Sequence, residues 1–149
     1  MIFDYEDYEK TRKLIRKKNE EYLDLFESAL TNSGLSKKTI IRHLRNVDFY
    51  INFFLLNEEP MHMQAGTHSL GFFLGDFFIR KCMWSTPGNI KTTATSIKKF
   101  YKCMLEHELI DRNSYHDLCN DIKDNLETWQ INCEIYNNPD APNPFSFPF

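Results

Sequence analysis

Two stretches of the chain carry rows of positively charged side chains whose spacing places them on one face of a helix. Most of the residues recur at intervals of three and four, Lys37 and Lys99 lie alongside them, and no carboxylate lies between the first and the last cation of either row. Cations that no carboxylate neutralises can bind an anion such as a phosphate group. The first row consists of Lys37, Lys38, Arg42 and Arg45, and the second row consists of Lys91, Thr95, Lys98, Lys99 and Lys102, with Thr92 beside it.

No comparable pattern predicts a catalytic centre. The four Cys and five His show neither C-x-x-C nor H-E-x-x-H spacing, and His116 and Cys119 supply only two possible metal ligands. Neither a G-x-S-x-G motif nor a phosphate-binding Gly-rich loop is present. Carboxylates are plentiful, but nothing selects one acidic pair over another. We therefore expect no enzymatic activity, no metal and no cofactor, and we expect His43 to be exposed or to contact a partner.

Two amphipathic helices are predicted to position the rows. The first begins after Ser36, whose hydroxyl can accept a hydrogen bond from a free N–H group of the first turn. The second begins after Ser85 or Thr86, with Pro87 at the first helical position, where its missing N–H costs nothing. Apolar side chains on the opposite faces are Ile40, Leu44, Val47, Ile51 and Leu55 in the first helix, and Ile90, Ala94, Ile97, Tyr101 and Met104 in the second.

Three further helices are predicted around these two. One spans residues 4 to 31 and buries Leu14 and Phe26, another begins at Thr67 or His68, and the last spans residues 113 to 136. The exposed side of the last helix is acidic and carries Asp117, Asp121, Asp124 and Glu127. Prolines interrupt residues 137 to 149, so this segment is predicted to be a non-helical tail. The tail either lies in an apolar groove through Phe145, Phe147 and Phe149 or is a disordered end.

The composition fits one all-α domain with an uneven charge distribution. The 149 residues include 42% hydrophobic side chains and only 5 Gly, which is typical of a compact helical protein. Although the net charge is -3, residues 36 to 105 hold ten Lys and Arg against four Asp and Glu, whereas residues 106 to 149 hold two against nine. Attraction for an anion should therefore be local. Lacking a signal peptide and a long apolar segment, the chain is expected to be cytoplasmic, with no membrane contact and with reduced cysteines.

Two sequence patterns resemble a known family. The pattern L-S-x-x-T-x-x-x-x-L-x-x-V-x-x-F-x-x-F is matched by Leu35, Ser36, Thr39, Leu44, Val47, Tyr50 and Phe53, with Tyr50 in place of Phe. The pattern I-K-x-F-Y-x-x-L-x-x-x-x-L-I is matched by Ile97, Lys98, Phe100, Tyr101, Leu105, Leu109 and Ile110, with Met104 near the usual Leu. Residues 8 to 114 thus resemble the N-terminal core-binding domain, a SAM-like helical domain, of tyrosine recombinases and phage integrases. The usual Gly before the final Leu-Ile is Glu108 here.

The resemblance implies a fold and a partner. It implies a single SAM-like bundle of about five helices over residues 1 to 136, to which this chain adds the acidic last helix and the tail of residues 137 to 149. In the family such a domain clasps one face of the DNA duplex, and the two rows would lie on its DNA-facing helices. Strand cleavage in the family belongs to a separate C-terminal domain with a tyrosine nucleophile. Because this chain ends before such a domain, we expect no recombinase activity.

Two hypotheses of function remain open at this stage. The first is a DNA-binding or DNA-associated module that contacts double-stranded DNA through phosphates, with little reading of bases. The second is an interaction module that keeps the recombinase-like fold without binding DNA. It would hold another protein or a second copy of itself through the acidic last helix and through Phe145, Phe147 and Phe149.

Overall fold

A computed structural model describes residues 4–140 of the chain, and all the regular secondary structure in this part is helical. The predicted all-α class is therefore confirmed for these residues. Helix α2 continues into a first π-helical segment, and a second π-helical segment joins α3 to α4. The elements are α1 (Tyr5–Asn32), α2 (Lys37–Asp48), the first π segment (Phe49–Phe54), a 3-10 helix (Met63–His68), α3 (Leu70–Phe72), the second π segment (Phe73–Phe77), α4 (Phe78–Lys81), α5 (Pro87–Glu106) and α6 (Arg112–Asn137).

The helix starts follow from local side-chain chemistry. The hydroxyl of Ser36 accepts a hydrogen bond from the Thr39 N–H at 3.2 Å, which caps α2 as predicted. Of the two candidates for the cap of α5, Thr86 is the one that caps it, because its hydroxyl accepts from the Asn89 N–H at 3.0 Å. Carboxylates cap the other two long helices, Asp4 at α1 and Asp111 at α6. Each cap satisfies an N–H group that has no partner inside its helix.

Helix α5 lies at the centre of the bundle and packs against α1, α2 and α6. Its predicted apolar side is confirmed, since all five residues are buried, and Phe100 adds an edge-to-face ring contact with Phe26 of α1 at 5.4 Å between centroids. One prediction for α1 is wrong: Leu14 is 64% exposed, and its neighbour Ile15 is buried instead. Successive helix positions differ by about 100°, so only one of these two can face the core.

The two π segments pack against each other through aromatic rings. In a π turn the hydrogen bond reaches five residues back, as in the bond from the Leu55 N–H to the Tyr50 carbonyl at 2.9 Å. Phe73 is fully buried at the centre, with ring centroids of Tyr50 and Phe54 at 4.8 and 4.9 Å. The third predicted helix therefore exists, but it begins at Leu70 rather than at Thr67 or His68, and a π segment interrupts it.

Two buried tyrosines tie the 3-10 helix to the core. The Tyr50 hydroxyl donates to the Gly66 carbonyl at 2.6 Å, and the Tyr101 hydroxyl donates to the Met63 carbonyl at 2.7 Å. A β-carbon at Gly66 would collide with the Tyr101 hydroxyl, so this position needs glycine for space rather than for its backbone angles. These bonds join the 3-10 helix to the first π segment and to α5.

Hydrogen bonds join the C-terminal part of α6 to the start of α5. The Asn137 side chain donates to the Ser85 carbonyl at 2.7 Å, and the Gln130 side chain donates to the Pro87 carbonyl at 3.0 Å. Helix α6 includes Asn137, which the sequence pattern places in the tail. Phe145, Phe147 and Phe149, for which the sequence predicts a groove contact or a disordered end, lie outside the described residues. Among the helices of residues 4–140, none is long and apolar enough to cross a membrane.

Candidate nucleic-acid interface

The two cationic rows lie on neighbouring helices, because α2 packs against α5. All nine residues of the two rows are exposed, as the amphipathic pattern predicted. Arg42 of the first row and Lys99 of the second row both lower the pKa of His43, which lies between the helices. One cation from each row is therefore close to the same side chain at the contact between α2 and α5.

A cleft of about 380 Å³ opens between α2 and the start of α5, beside the first row. We call it the α2–α5 cleft, and its volume is at the lower end of the range of ligand-sized sites, roughly 300–1,000 Å³. No carboxylate is among the residues that line it, which suits an anion. The lining residues are Arg42, Arg45, Asn46 and Phe49 from α2 and the first π segment, Phe78 and Trp84 from α4 and the turn after it, and Asn89, Thr92 and Thr93 from α5.

The members of the rows differ in their distance from this cleft. Arg42 and Arg45 line it directly. Lys38 stands on the same side of α2, whereas Lys37 lies about 100° further round the helix. On α5, Lys99 is the member of the second row nearest to α2. The other members continue the exposed surface further round the helix, as the helical period predicts; they are Lys91, Thr95, Lys98 and Lys102.

None of the eight cations in the rows forms an ion pair within residues 4–140. The salt bridges of this part of the chain lie elsewhere, for example between Arg80 and Asp76 at 2.6 Å. The nearest carboxylates along the helices, those of Asp48 and Glu106, follow the last cation of each row by three and four residues. The positive charge of the rows is therefore free to act on an external anion.

A buried polar cluster holds α2 against α5 directly beneath the cleft. His43 is only 4% exposed, and its Nδ1 atom lies 2.7 Å from the Ser96 hydroxyl. That hydroxyl also accepts a hydrogen bond from Asn46 at 3.0 Å and lies 3.1 Å from the Thr92 carbonyl, to which it donates. The expectation of an exposed or partner-contacting His43 is wrong, because its position four residues before Val47 puts it on the buried side of α2.

The environment of His43 favours its neutral form. Burial is the main cause of its lowered pKa, and the positive charges of Arg42 and Lys99 lower the pKa further. With the Ser96 proton directed at the Thr92 carbonyl, neutral His43 can donate its Nδ1 proton to the Ser96 oxygen. Protonation would place a third positive charge between two others at a buried contact.

This environment predicts that the protein loses stability at mildly acidic pH. Folded His43 binds a proton less readily than unfolded His43, because its pKa is lowered in the folded protein. As the pH falls below the ordinary histidine pKa of about 6.5, protonation therefore favours the unfolded state. The loss of stability stops once the pH is below the lowered pKa of folded His43. We expect the urea midpoint to fall between about pH 7.5 and about pH 5. In His43→Asn, which retains a hydrogen-bonding group near the Nδ1 position, this fall should be smaller. An equal fall in both proteins would contradict the assignment to His43, because the variant keeps the other four histidines.

Sequence reasoning missed the residues that complete the cleft. Trp84 and Asn89 are 39 or more positions away from Arg45 in the chain, and only the packing of α2 on α5 brings them together. The Asn89 side chain donates to the Trp84 carbonyl at 2.9 Å and so fixes the turn before α5. The available signal was the tryptophan itself, a large apolar residue two positions before the cap of α5 and outside the apolar pattern of any helix.

The largest of the other clefts and the cysteines of residues 4–140 are poorly suited to bind an anion or a metal. A larger cleft of about 770 Å³ at the turn between α5 and α6 is lined by Glu106, Glu108 and Asp111 as well as Arg112, so its charge is unsuited to phosphate. Within residues 4–140 no group of three or more His, Cys, Asp or Glu is arranged to hold a metal ion. Three of the four thiols are buried, and burial raises the pKa of the Cys82 thiol to about 11, which makes it a poor nucleophile.

Comparison of the chain with known proteins gives no assignment. No protein-family model, no curated protein and no solved structure matches it. The function has to be argued from the geometry and charge of the residues themselves.

Proposed function

We propose that the protein is a non-catalytic helical module that binds duplex DNA through phosphate contacts from the two cationic rows. The observation that carries this proposal is that two packed helices together expose eight cations without an ion pair among residues 4–140, and that two of them, Arg42 and Arg45, line a cleft that no carboxylate lines. A protein with a net charge of -3 gains nothing for its own stability from keeping like charges together. An anionic partner with regularly spaced charges would offset that repulsion.

The dimensions of the rows suit a duplex. The second row runs from Lys91 to Lys102, and at a rise of about 1.5 Å per residue it is about 16 Å long. Over that length duplex DNA presents about ten phosphate charges, one per about 1.7 Å of helix axis. Four lysines on α5 and the two arginines at the cleft can therefore each find a phosphate partner without bending the DNA.

The backbone at Glu108 supports the proposed relationship to the core-binding domains of tyrosine recombinases. The pattern of that family has Gly before the final Leu-Ile, and Glu108 stands at this position with a φ of 59°, in the left-handed region that glycine adopts at no steric cost. The turn between α5 and α6 thus has the conformation that the family's glycine would favour. We propose on this basis that the bundle is SAM-like and core-binding-domain-like over residues 8 to 114.

The chemistry of the rows predicts binding with little sequence preference. Lysine contacts a phosphate as a point charge, and six of the eight cations are lysines, whereas arginine is the side chain that most often reads guanine edges. Phosphate contacts position a protein on the duplex but carry no base information. We therefore propose a role in holding DNA rather than in choosing its sequence.

The salt dependence of binding tests this proposal. We expect a labelled duplex, titrated by fluorescence anisotropy at several salt concentrations, to show log K falling against log salt with a slope of about -4 to -6, which corresponds to about five or six neutralised phosphates. A neutral dextran of similar mass, added at the same concentration, should not compete. Absence of binding at low salt would overturn the proposed function.

An alternative function rests on exposed apolar side chains. Phe72 is 74% exposed and Met83 is 99% exposed, and exposed apolar side chains of this size are typical of protein contacts. Under this alternative the recombinase-like fold would serve self-association or the binding of another protein, helped by the acidic side of α6. Sedimentation of the protein without DNA separates the alternatives, because self-association would give a mass that rises with concentration, independently of the two rows.

A further inference from the structure

The side chain of Trp84 is exposed at the mouth of the α2–α5 cleft. It is 61% exposed, although tryptophan is among the residues that gain most from burial. Its ring lies 6.3 Å from that of Phe49, centroid to centroid, so part of the indole rests on the protein while the rest faces solvent. Packing of the core does not explain the position of this ring, which lines the same cleft as Arg42 and Arg45.

The turn that carries Trp84 is fixed from both sides. The Ser85 N–H donates to the Cys82 carbonyl at 3.0 Å, and the Asn89 side chain donates to the Trp84 carbonyl at 2.9 Å. On the other side, Asn137 of α6 donates to the Ser85 carbonyl at 2.7 Å. The indole is therefore presented on a preorganised turn, which reduces the entropy lost when a ligand stacks on it.

The chemistry of the cleft fits a nucleotide better than a purely apolar ligand. Arg42 and Arg45 supply positive charge for a phosphate, Asn89 and Thr92 supply polar groups, and Trp84 supplies a flat ring on which a base can stack. An aromatic platform beside cations is the combination by which proteins bind single strands. Bases inside a duplex are already stacked on each other, so only an unpaired base could use the ring.

We propose that the α2–α5 cleft binds an unpaired base of a DNA strand, with the base stacked on Trp84 and its phosphate held by Arg42 and Arg45. The inference rests on the proposed function, since the same two arginines would hold the backbone of the duplex. It adds a preference for overhangs or junctions over fully paired duplex. The cation rows hold the duplex part, and the cleft receives the strand where pairing stops.

Competition between matched DNA probes tests this inference. The probes are a blunt duplex, the same duplex with a thymidine overhang, and the same duplex with an overhang of abasic sites, which keeps the phosphates and removes the bases. We expect the thymidine overhang to bind about 5- to 150-fold more tightly than the abasic overhang, the range for one aromatic stacking contact. Trp84→Ala should remove this difference, whereas Trp84→Phe should retain most of it, and both should bind the blunt duplex as the unmodified protein does.

Phe72→Ala is the matched control, because Phe72 is also exposed but lines a different groove, beside Glu58, Glu59 and Asp76. It should leave the preference for the thymidine overhang unchanged. Quenching of indole fluorescence by the thymidine overhang, absent in Trp84→Phe, should report the stacking directly, since the other tryptophan, Trp129, is only 5% exposed.

Each contrary outcome has a separate meaning. Equal affinity for the two overhangs, with the blunt duplex still bound, would overturn the stacking site and leave the proposed function in place. No binding to any of the probes at low salt would overturn the proposed function and this inference with it. If Trp84→Ala sediments with a lower mass than the unmodified protein and binds DNA unchanged, the ring serves a contact between proteins. That outcome would overturn the inference.

Discussion

Replacing Lys98, Lys99 and Lys102 together by Glu should weaken duplex binding by about 100-fold or more at low salt, because three phosphate contacts are lost and three negative charges face the backbone. The slope of log K against log salt should become less steep by about 3, one for each contact removed. The fold should persist, since all three side chains are exposed and lie outside the buried side of α5. Anisotropy titrations over a salt series, with circular dichroism to verify helicity, measure both effects.

The control for this variant changes charge by the same amount on another helix. Lys10, Lys13 and Lys17 are exposed on α1, on the side opposite its buried residues, and none of them forms an ion pair in the described part of the chain. Replacing these three by Glu should reduce affinity far less, because only the long-range field changes and salt screens it. Equal losses in the two variants would contradict a localised DNA-binding face.

Phe73→Ala should destabilise the protein by about 3–5 kcal/mol, the usual cost of removing a buried phenyl ring and leaving a cavity. Phe73 has no exposed surface, and its ring lies 4.8 to 6.2 Å from the rings of five other aromatic residues; these are Phe49, Tyr50, Phe54, Phe77 and Phe78. The cost is a large fraction of the stability of a typical domain, about 5–15 kcal/mol. Urea unfolding followed by circular dichroism measures it.

The adjacent residue provides a matched control for this stability effect. Phe72 is 74% exposed, so Phe72→Ala removes the same atoms without opening a cavity and should change the free energy of unfolding by no more than about 0.5 kcal/mol. Similar losses for Phe72→Ala and Phe73→Ala would show that the ring cluster between the two π segments contributes less than its burial indicates. The pair isolates packing from helix propensity, because both residues are phenylalanines in one continuous helical region.

The parts of the fold that depend on neighbours in sequence were predictable. The Ser36 cap of α2 and the Thr86-Pro87 start of α5 require only a hydroxyl or a fixed backbone angle at one position. The buried side of α5 follows from the helical period, which also places the second row on the solvent side. Exposure of both rows was therefore readable from the sequence.

The parts that depend on distant contacts were not predictable in the same way. Leu14 and Ile15 are both apolar, and only the position of α1 against its neighbours decides that Ile15 is buried. His43 shows that spacing and residue type can conflict, since a polar residue at a buried position is satisfied there by Ser96, 53 positions away. The α2–α5 cleft forms only through such contacts, so the pattern of residues within a single helix does not predict that Trp84 lines it.

The two π segments have a consequence for the lengths that related chains could have. A π turn closes its hydrogen bond one residue later than an α turn, so each segment holds a residue that an uninterrupted α-helix would not contain. Deleting one residue from Phe49–Phe54 would restore α-helical geometry there but rotate the rings that meet Phe73–Phe77 by about 100°. We therefore expect a single-residue deletion in either segment to break the ring contacts between them, so that these two segments should keep their lengths in related chains.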